Sequence, residues 1–365
     1  MTRRAFVHRI AANAPDDVAG FTARVAEGEI KPRDVVAILG KTEGNGCVND
    51  FSRGLATRAL SDALSRAGAD PSRVCLVMSG GTEGGLSPHF LVFEARVVDE
   101  PSKTGALAVG CARSARLPYE HLGRLAQVDT VAVGVRAAMR DAGLERPEDV
   151  HFVQIKCPLL TADRVAAAEA RGLTTATRDT LKSMGLSRAA SALGVGVALG
   201  EIDRERLTDS DVGRDFSLFS ERASASAGVE LEDHEIVVLG EAQGGWAGLL
   251  RIDHAVMEDA LDVEPVRATL ARLGLSASGQ LVPQQAARVV ALLAKAEAGA
   301  SGLLRGRRHT MLNDSDISAT RHARAFVAGA LGALIGHAEI FVSGGAEHQG
   351  PDGGGPVAII VEAAP

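Results

Sequence analysis

The chain has 365 residues, which is enough for one large domain or for two or three small ones. Hydrophobic residues make up 46% and aromatic residues only 3%, so we expect a sizeable core built mostly of Ala, Val, Leu and Ile. The net charge of −7 argues against a nucleic acid partner, because binding phosphates requires a basic surface. We find no apolar run that could span a membrane, no signal-peptide pattern and no metal-site spacing among the four cysteines. These features predict a cytoplasmic protein with reduced thiols and no membrane partner.

Apolar runs rich in Val and Ile alternate with Ala-rich helical stretches along the chain. The apolar runs predict buried strands at 36–40, 74–78, 151–155, 235–240, 339–343 and 356–362. The periodic stretches predict helices around 53–67, 161–171, 181–200, 256–273, 284–299 and 320–336. Polar segments near 99–104 and 251–256 predict breaks between units. This alternation indicates an α/β fold with helices packed on sheets.

Three short patterns recur in the same order. Each set has a Lys at or just after an apolar run, then a Ser/Thr-Arg pair that opens an Ala/Gly-rich helix, then a Ser followed by two small residues. The sets are Lys41, Arg53 and Ser79; Lys156, Arg188 and Ser226; and Lys295, Arg321 and Ser343. Each pattern is common by itself, but three ordered sets, spaced by about a third of the chain, predict an internal triplication.

The recurring residue types suit nucleophilic catalysis on a ligand with three similar edges. A Ser hydroxyl needs a neighbouring base, and a Lys can serve only when burial or nearby cations lower its pKa. The small residues after each Ser let backbone N–H groups approach a carbonyl oxygen or an oxyanion. Guanidinium groups can hold an anion or a carbonyl edge. Three lysines and three arginines around one pocket would supply the cationic surroundings that this chemistry needs.

Two other features of the sequence concern ligands. Gly40-Lys41-Thr42 looks like the end of a phosphate-binding P-loop, but Val35 stands where that motif requires its first glycine. The Gly-rich segment 346–355 can turn several backbone carbonyls inward, which suits a hard cation. The segment is therefore a candidate site for a structural divalent cation.

With these sets in view, the chain resembles the cyanuric acid amidohydrolase/barbiturase family over nearly all of its length. The segments that carry the resemblance are long, so chance matches are improbable. They are MSGGTEGGLSPH (78–89), VQIKCPLLT (153–161), KSMGLSRAASALGVG (182–196), GEAQGGWAG (240–248) and FVSGGAEHQGPDGGGPVA (341–358). The resemblance implies three similar α/β units around a pseudo-three-fold axis with a central active site. We expect these units at 1–103, 104–250 and 251–365.

The resemblance also implies a role for each recurring residue. Carried over by position, each Lys pairs with the Ser of its own set, and the middle pair does the chemistry, with Ser226 as nucleophile and Lys156 as its base. The residues after the serines would offer backbone groups to the substrate. The implied substrate-binding positions are Lys41, Arg53, Ser79, Gly80, Arg188, Ala227, Lys295, Arg321, Ser343 and Gly344.

Two of these placements have rivals within a few residues. Ser224 lies two positions before Ser226, which is followed by Ala rather than by Gly. Arg324 lies three positions after Arg321. We prefer Arg321 because a Gly follows it after eight positions, as one follows Arg188.

Some members of this family hold a structural cation near the C-terminal loop. The matching ligands would be the Glu297 carboxylate and backbone oxygens of Ala346, Gln349, Pro351 and Gly354, with Mg²⁺ or Ca²⁺ as the ion. The chemistry itself is expected to need no cofactor. The resemblance further implies a homotetramer.

The activity implied by the resemblance is hydrolytic ring opening of cyanuric acid to carboxybiuret, which then loses carbon dioxide to give biuret. The runner-up is a barbiturase that opens barbituric acid to ureidomalonate, because the two rings differ only by CH₂ in place of one NH. A non-catalytic binder of a three-fold ligand is disfavoured, since binding needs no titratable base beside each hydroxyl. A P-loop nucleotide enzyme is disfavoured by Val35.

Overall fold

The computed structural model describes residues 1–363, and within them the backbone forms a mixed α/β fold, as predicted. The strands are β1 (Thr2–Ala11), β2 (Val35–Thr42), β3 (Cys75–Gly80), β4 (His89–Val98), β5 (Ala106–Arg113), β6 (Val150–Pro158), β7 (Ala223–Gly228), β8 (Glu235–Ala242), β9 (Trp246–Ala247), β10 (Leu250–Met257), β11 (Val289–Ala296), β12 (Leu303–Leu304), β13 (Arg307–Arg308), β14 (Phe341–Gly344) and β15 (Gly355–Glu362). The α-helices are α1 (Ala19–Ala26), α2 (Phe51–Arg66), α3 (Leu125–Ala142), α4 (Ala162–Glu169), α5 (Thr180–Ala198), α6 (Glu264–Arg272), α7 (Pro283–Ala286) and α8 (Ala319–Ile335). Among the described residues, no helix combines the length and apolarity needed to cross a bilayer.

The long strands form three sheets with the same strand order. The first sheet runs β3-β2-β4-β1, the second β7-β6-β8-β5 and the third β14-β11-β15-β10, with β9 added beside β1. In each sheet the first two strands are parallel and the next two pairings are antiparallel, and β9 is parallel to β1. The two parallel strands of each sheet therefore end at the same edge.

The inner faces of the three sheets share one hydrophobic core. Side chains alternate between the two faces of a strand, so Ala37 and Leu39 of β2 point into this core whereas Ile38 packs towards α1 and α2. Phe152 of the second sheet and Leu293 of the third belong to the same core. The outer faces are covered by α3 and α5 on the second sheet and by α6 and α8 on the third. Polar residues at the ends of these strands that point to the same inner face consequently lie near the middle of the molecule.

All six predicted strands are present, as β2, β3, β6, β8, β14 and β15. Four predicted helices correspond to α2, α4, α5 and α8. The polar break predicted near 99–104 is the loop between β4 and β5. Strong local patterns in the sequence were therefore sufficient for about half of the elements.

Three predictions of elements are corrected by the structure. The helix predicted over 284–299 is wrong, because β11 fills Val289–Ala296 and is hydrogen-bonded to a strand on each side. Its Ala and Leu residues favour a helix in isolation, and burial inside a sheet overrides that propensity. The break predicted near 251–256 is wrong, since β10 occupies it, and the helix predicted from 256 begins only at Glu264.

Candidate active site

Each recurring Lys is aligned with the recurring Ser of its own sheet. Because the strands that carry them are parallel and in register, the two side chains project from adjacent positions at the same sheet edge. The Cα partners are Lys41 with Ser79, Lys156 with Ser226 and Lys295 with Ser343.

The three serine hydroxyls meet at one small central cavity. Ser79 Oγ donates to Ser343 Oγ at 3.2 Å, and Ser226 Oγ lies 3.1 Å from the same oxygen. The rival Ser224 is buried elsewhere, where its hydroxyl donates to the side-chain oxygen of Gln154 at 2.7 Å. Ser226 and not Ser224 therefore lines the cavity.

All three lysines are buried, with at most 1% of each residue exposed. Lys41 Nζ donates to Ser79 Oγ at 3.4 Å, and Lys295 Nζ donates to Ser343 Oγ at 3.2 Å. The surrounding chain covers the three side chains almost completely. Burying an amine costs free energy unless it is hydrogen-bonded, so these contacts offset part of the cost of burying the lysines.

Lys156 makes different contacts. Its Nζ donates to the backbone carbonyl of Met78 at 2.7 Å and lies 2.7 Å from a carboxylate oxygen of Glu230. The hydroxyl of Ser226, its partner in register, is hydrogen-bonded to Ser343 instead.

Burial lowers the pKa of all three lysines. The pKa of Lys41 falls well below its usual value, with a further contribution from Arg324. The pKa of Lys295 falls to about 7, and Arg188 contributes to this shift after burial. Lysines with lowered pKa values can hold the neutral amine that a general base requires.

Two of the three predicted arginines line the cavity, namely Arg53 of α2 and Arg188 of α5. The predicted Arg321 does not line the cavity: its side chain is 37% exposed, whereas that of Arg324 is 3% exposed and does line it. Residues three apart on a helix point about 60° away from one another. Only the Arg324 face of α8 is directed at the cavity. The Gly eight positions after Arg321, on which the prediction of Arg321 rests, does not indicate which face of the helix meets the cavity.

Sequence reasoning missed three glutamates beside the arginines: Glu83, Glu230 and Glu347. Each follows the Ser of its set by four positions, so a repeated Ser-x-x-x-Glu spacing could have revealed them. Arg324 donates to both carboxylate oxygens of Glu83 at 2.6 Å, and Arg188 donates to those of Glu347 at 2.8 and 2.6 Å. These bidentate pairs fix the guanidinium planes at the cavity.

The small residues after the serines also line the cavity, as Gly80, Ala227 and Gly344. At Gly80 the lack of a side chain is required, because a Cβ there would overlap the carboxylate of Asp50. That carboxylate caps α2 by accepting a hydrogen bond from the backbone N–H of Ser52. The backbone therefore approaches the cavity closely at these positions.

The residues expected to hold a cation lie on two neighbouring loops. Glu297 follows β11 directly, and the other four lie between β14 and β15. The loops touch where the backbone N–H of Ala300 donates to the Asp352 carboxylate at 2.9 Å. Burial, followed by the nearby Glu347 carboxylate, raises the pKa of Glu297. Its carboxylate oxygens accept hydrogen bonds from the backbone N–H of Ala298 and from the Thr320 hydroxyl. A buried carboxylate whose charged form is disfavoured is an oxygen ligand of the kind that a hard cation takes.

A different group of potential ligands is formed by His151, Asp253 and His254, the one cluster of three within residues 1–363. The two Nδ1 atoms are 2.8 Å apart, as in a hydrogen bond between neutral rings. Burial lowers the pKa of His254 to about 4, which keeps this ring neutral. Asp253 is already paired with Arg272 at 2.6 Å, and Arg222 adds positive charge nearby. Two arginines beside the cluster disfavour a cation there.

Gly40-Lys41-Thr42 forms the end of β2, and its Lys is buried against the other sheets. A phosphate-binding loop needs these residues between a strand and a helix, so the P-loop interpretation is not supported. All four cysteines are free thiols.

The chain is similar to known proteins along nearly all of its length. A family model described as "amidohydrolase ring-opening protein" matches residues 6–362. The cyanuric acid amidohydrolase of Bradyrhizobium sp. (strain ORS 375) is 61% identical over 99% of this chain and 98% of its own length, and that of Azorhizobium caulinodans is 60% identical over 97% of each. Among solved structures, the cyanuric acid hydrolase of A. caulinodans superimposes with a TM-score of 0.92 at 58% identity, and another cyanuric acid hydrolase with 0.94 at 46% identity, each covering 100% of both chains.

The fold and these matches define an enzyme class, the hydrolases that act on cyclic amides. Within that class, the chain belongs to the family of ring-opening amidohydrolases.

Proposed function

We propose that this protein is a cyanuric acid amidohydrolase, which opens the s-triazine ring to carboxybiuret, from which loss of carbon dioxide gives biuret. The observation that carries this proposal is the convergence of three serine hydroxyls on one cavity, each with a buried lysine in register. Cyanuric acid has three equivalent carbonyl edges, which match three such sets. Several relatives that are over 50% identical, and that match along nearly their whole length, bear this name.

We propose that the architecture consists of three repeat units, 1–103, 104–250 and 251–365, around a pseudo-three-fold axis. Support comes from the common strand order of the three sheets and from the common Lys–Ser register. The pairing of β9 with β1 joins the end of the second unit to the first sheet.

In the proposed mechanism the arginines and serines hold the three carbonyl edges, and the cationic surroundings favour the ionised imide. Lys156 takes the proton of Ser226 Oγ as this oxygen attacks one carbonyl carbon. Backbone N–H groups near Ala227 stabilise the oxyanion. The proton then passes to the ring nitrogen as the C–N bond breaks, and water, activated by the same amine, hydrolyses the ester. The Lys41 and Lys295 sets bind and polarise the other two carbonyls.

The experiment that tests this proposal compares two serine variants of the purified protein. Loss of cyanuric acid is followed by ultraviolet absorbance, beside a parallel trial with barbituric acid. We expect wild type to consume cyanuric acid and Ser226→Ala to lose about 10³-fold or more in kcat, because the nucleophile is absent. The matched control Ser79→Ala should retain chemistry and mainly lower kcat/KM.

Three outcomes would count against parts of this proposal. Substantial turnover by Ser226→Ala contradicts the nucleophile. Consumption of barbituric acid alone keeps the mechanism and changes the substrate. Consumption of neither ring by protein with native circular dichroism supports a non-catalytic binder.

We also propose a structural Mg²⁺ or Ca²⁺ held by the Glu297 carboxylate and by backbone oxygens of Ala346, Gln349, Pro351 and Gly354. When bound, it would neutralise the buried carboxylate and brace the loop that follows β14. The quaternary structure we propose is a homotetramer, and the compartment the cytoplasm, where the four free thiols would stay reduced.

A further inference from the structure

The three Ser-x-x-x-Glu glutamates do not make the same contacts. Glu83 and Glu347 each form a bidentate pair with an arginine, Arg324 and Arg188 respectively. In contrast, the nearest oxygen of Glu230 lies 3.8 Å from Nε of Arg53 and only 2.7 Å from Nζ of Lys156. In the middle set, therefore, the glutamate pairs most closely with the lysine, whereas in the other two sets it pairs with an arginine.

The guanidinium of Arg53 is held by other groups. It donates to the backbone carbonyl of Cys47 at 2.7 Å and to that of Ala227 at 3.2 Å. Arg53 therefore keeps its place at the cavity without a hydrogen bond to Glu230, whose carboxylate lies closer to Lys156.

The backbone after each serine explains the exchange. Gly81 and Gly345, two positions after their serines, have φ values of +102° and +78°, and a Cβ at either would overlap the arginine guanidinium. The equivalent Gly228 still belongs to β7, and a Cβ there would overlap the carboxylate of Glu230. Because the middle strand runs on without the left-handed turn, its glutamate folds back towards the lysine of the same sheet.

Lys156 also borders a second cavity. This cavity measures about 360 Å³ and is lined by Lys156 and Glu230 together with Glu235, Arg113 and Leu76, among others. A space of this size holds several water molecules. Lys156 is therefore in register with Ser226 at the central cavity and at the same time borders a space through which protons can exchange.

We propose that Glu230 is the positioning residue that singles out Lys156 as the proton carrier, and that the second cavity lets this lysine exchange its proton with solvent. The proposal rests on the proposed function, since it assigns the base of that reaction. As Ser226 Oγ bonds to the carbonyl carbon, its proton moves to the neutral Nζ, and the ammonium formed is stabilised by the Glu230 carboxylate. The same proton then goes to the ring nitrogen when the C–N bond breaks. In the hydrolysis of the acyl-enzyme, the oxygen of a water molecule attacks the ester carbon while Lys156 Nζ takes a proton from that water. Nζ then gives this proton to Ser226 Oγ as the serine leaves.

The charges around Lys156 determine how its pKa should change when Glu230 is replaced. The charged groups around it are Glu230, Arg53, Glu235 and Arg113, and the Cys157 thiol is on the next residue of β6. Burial and Arg53 lower the pKa of Lys156, and Glu230 opposes that shift. Removing the carboxylate should lower this pKa further.

The test compares Glu230→Gln with wild type across pH. Because activity requires neutral Lys156, we expect the acid limb of the kcat/KM profile to move to lower pH by about 1 unit or more. We expect kcat on the plateau to fall about tenfold or more, since the ammonium loses its partner. Glu230→Asp, which keeps the charge, should recover part of the plateau rate.

The matched controls Glu83→Gln and Glu347→Gln should leave the acid limb in place. An unmoved limb in Glu230→Gln, or an equal shift in all three variants, would overturn the proposal.

A second readout does not depend on turnover. The chain has six lysines, so carbon-13 labelling of lysine gives few NMR signals, and that of Lys156 can be assigned with Lys156→Met. We expect Lys156 to titrate at lower pH in Glu230→Gln while Lys41 and Lys295 keep their titrations. If Lys156 shifts but cyanuric acid is not consumed, the proposed function fails and the positioning role stands. If cyanuric acid is consumed but Lys156 does not shift, the positioning role fails.

Discussion

At the scale of single residues, the cavity depends on buried charges that compensate one another. Arg324 is on α8 and pairs with Glu83 in the loop after β3, and Arg188 is on α5 and pairs with Glu347 in the loop after β14. Each pair therefore links two parts of the chain that are distant in sequence. Burying an ion is costly unless a partner of opposite charge accompanies it. The glutamates therefore permit arginines to remain in a site that already holds three lysine side chains.

A pair of arginine variants distinguishes the position found in the structure from that predicted from the sequence. Arg324→Met leaves the Glu83 carboxylate without its bidentate partner, so we expect kcat/KM to fall by about 100-fold or more and the free energy of unfolding by about 3 kcal/mol. Arg321→Met removes a half-exposed contact to the same carboxylate and should change the activity by less than about tenfold. Steady-state kinetics and urea unfolding measure both effects. The reverse ranking would restore Arg321 as the substrate-binding residue.

At the scale of elements, parallel strand ends and the loops after them position the site. The alternation of β2, β3 and their counterparts directs each Lys and Ser inward, and the loop after each serine carries the glutamate. The loop between β14 and β15 also packs on the loop that follows β11.

Removal of the proposed cation tests this loop pair. Dialysis against EDTA should lower the melting temperature of wild type by several degrees, and Mg²⁺ or Ca²⁺ should restore it, because a ligand of the native state stabilises that state. In Glu297→Gln, which loses the carboxylate ligand, the melting temperature should no longer respond to EDTA. Differential scanning calorimetry with elemental analysis provides the measurement. Native protein that carries no divalent ion and ignores the chelator would contradict the proposed site.

At the scale of the whole molecule, the three sheets enclose one core and leave some apolar side chains outside. Phe51 and Leu55, one turn apart on α2, are 84% and 47% exposed. Contiguous exposed apolar surface often marks a contact between proteins.

The proposed homotetramer gives a direct expectation for the particle mass. Light scattering behind size-exclusion chromatography should give about four times the 37.8 kDa of the chain, because subunit contacts would cover surfaces such as this one. Phe51→Lys, which places a charge on the exposed face of α2, tests whether that face takes part. A monomer mass for wild type across micromolar concentrations would exclude the tetramer.

The sequence by itself determined the features that depend on local pattern. Val- and Ile-rich runs identified six strands, and the ordered recurrence of Lys and Ser identified the serines that meet at the cavity and the lysines in register with them. These signals survive folding because the alternation of side chains along a strand follows from the local geometry of the strand itself.

The tertiary structure decided the rest. It turned the Ala- and Leu-rich segment around Lys295 into β11, because pairing on both sides outweighs helix propensity. It selected Arg324 over Arg321, since the face of α8 that meets the cavity depends on how the helix is docked. It placed Glu230 beside Lys156 rather than in a bidentate pair with an arginine, although the glutamate spacing is identical in all three sets. That difference arises from the course of the backbone after Ser226, which residue spacing alone does not encode.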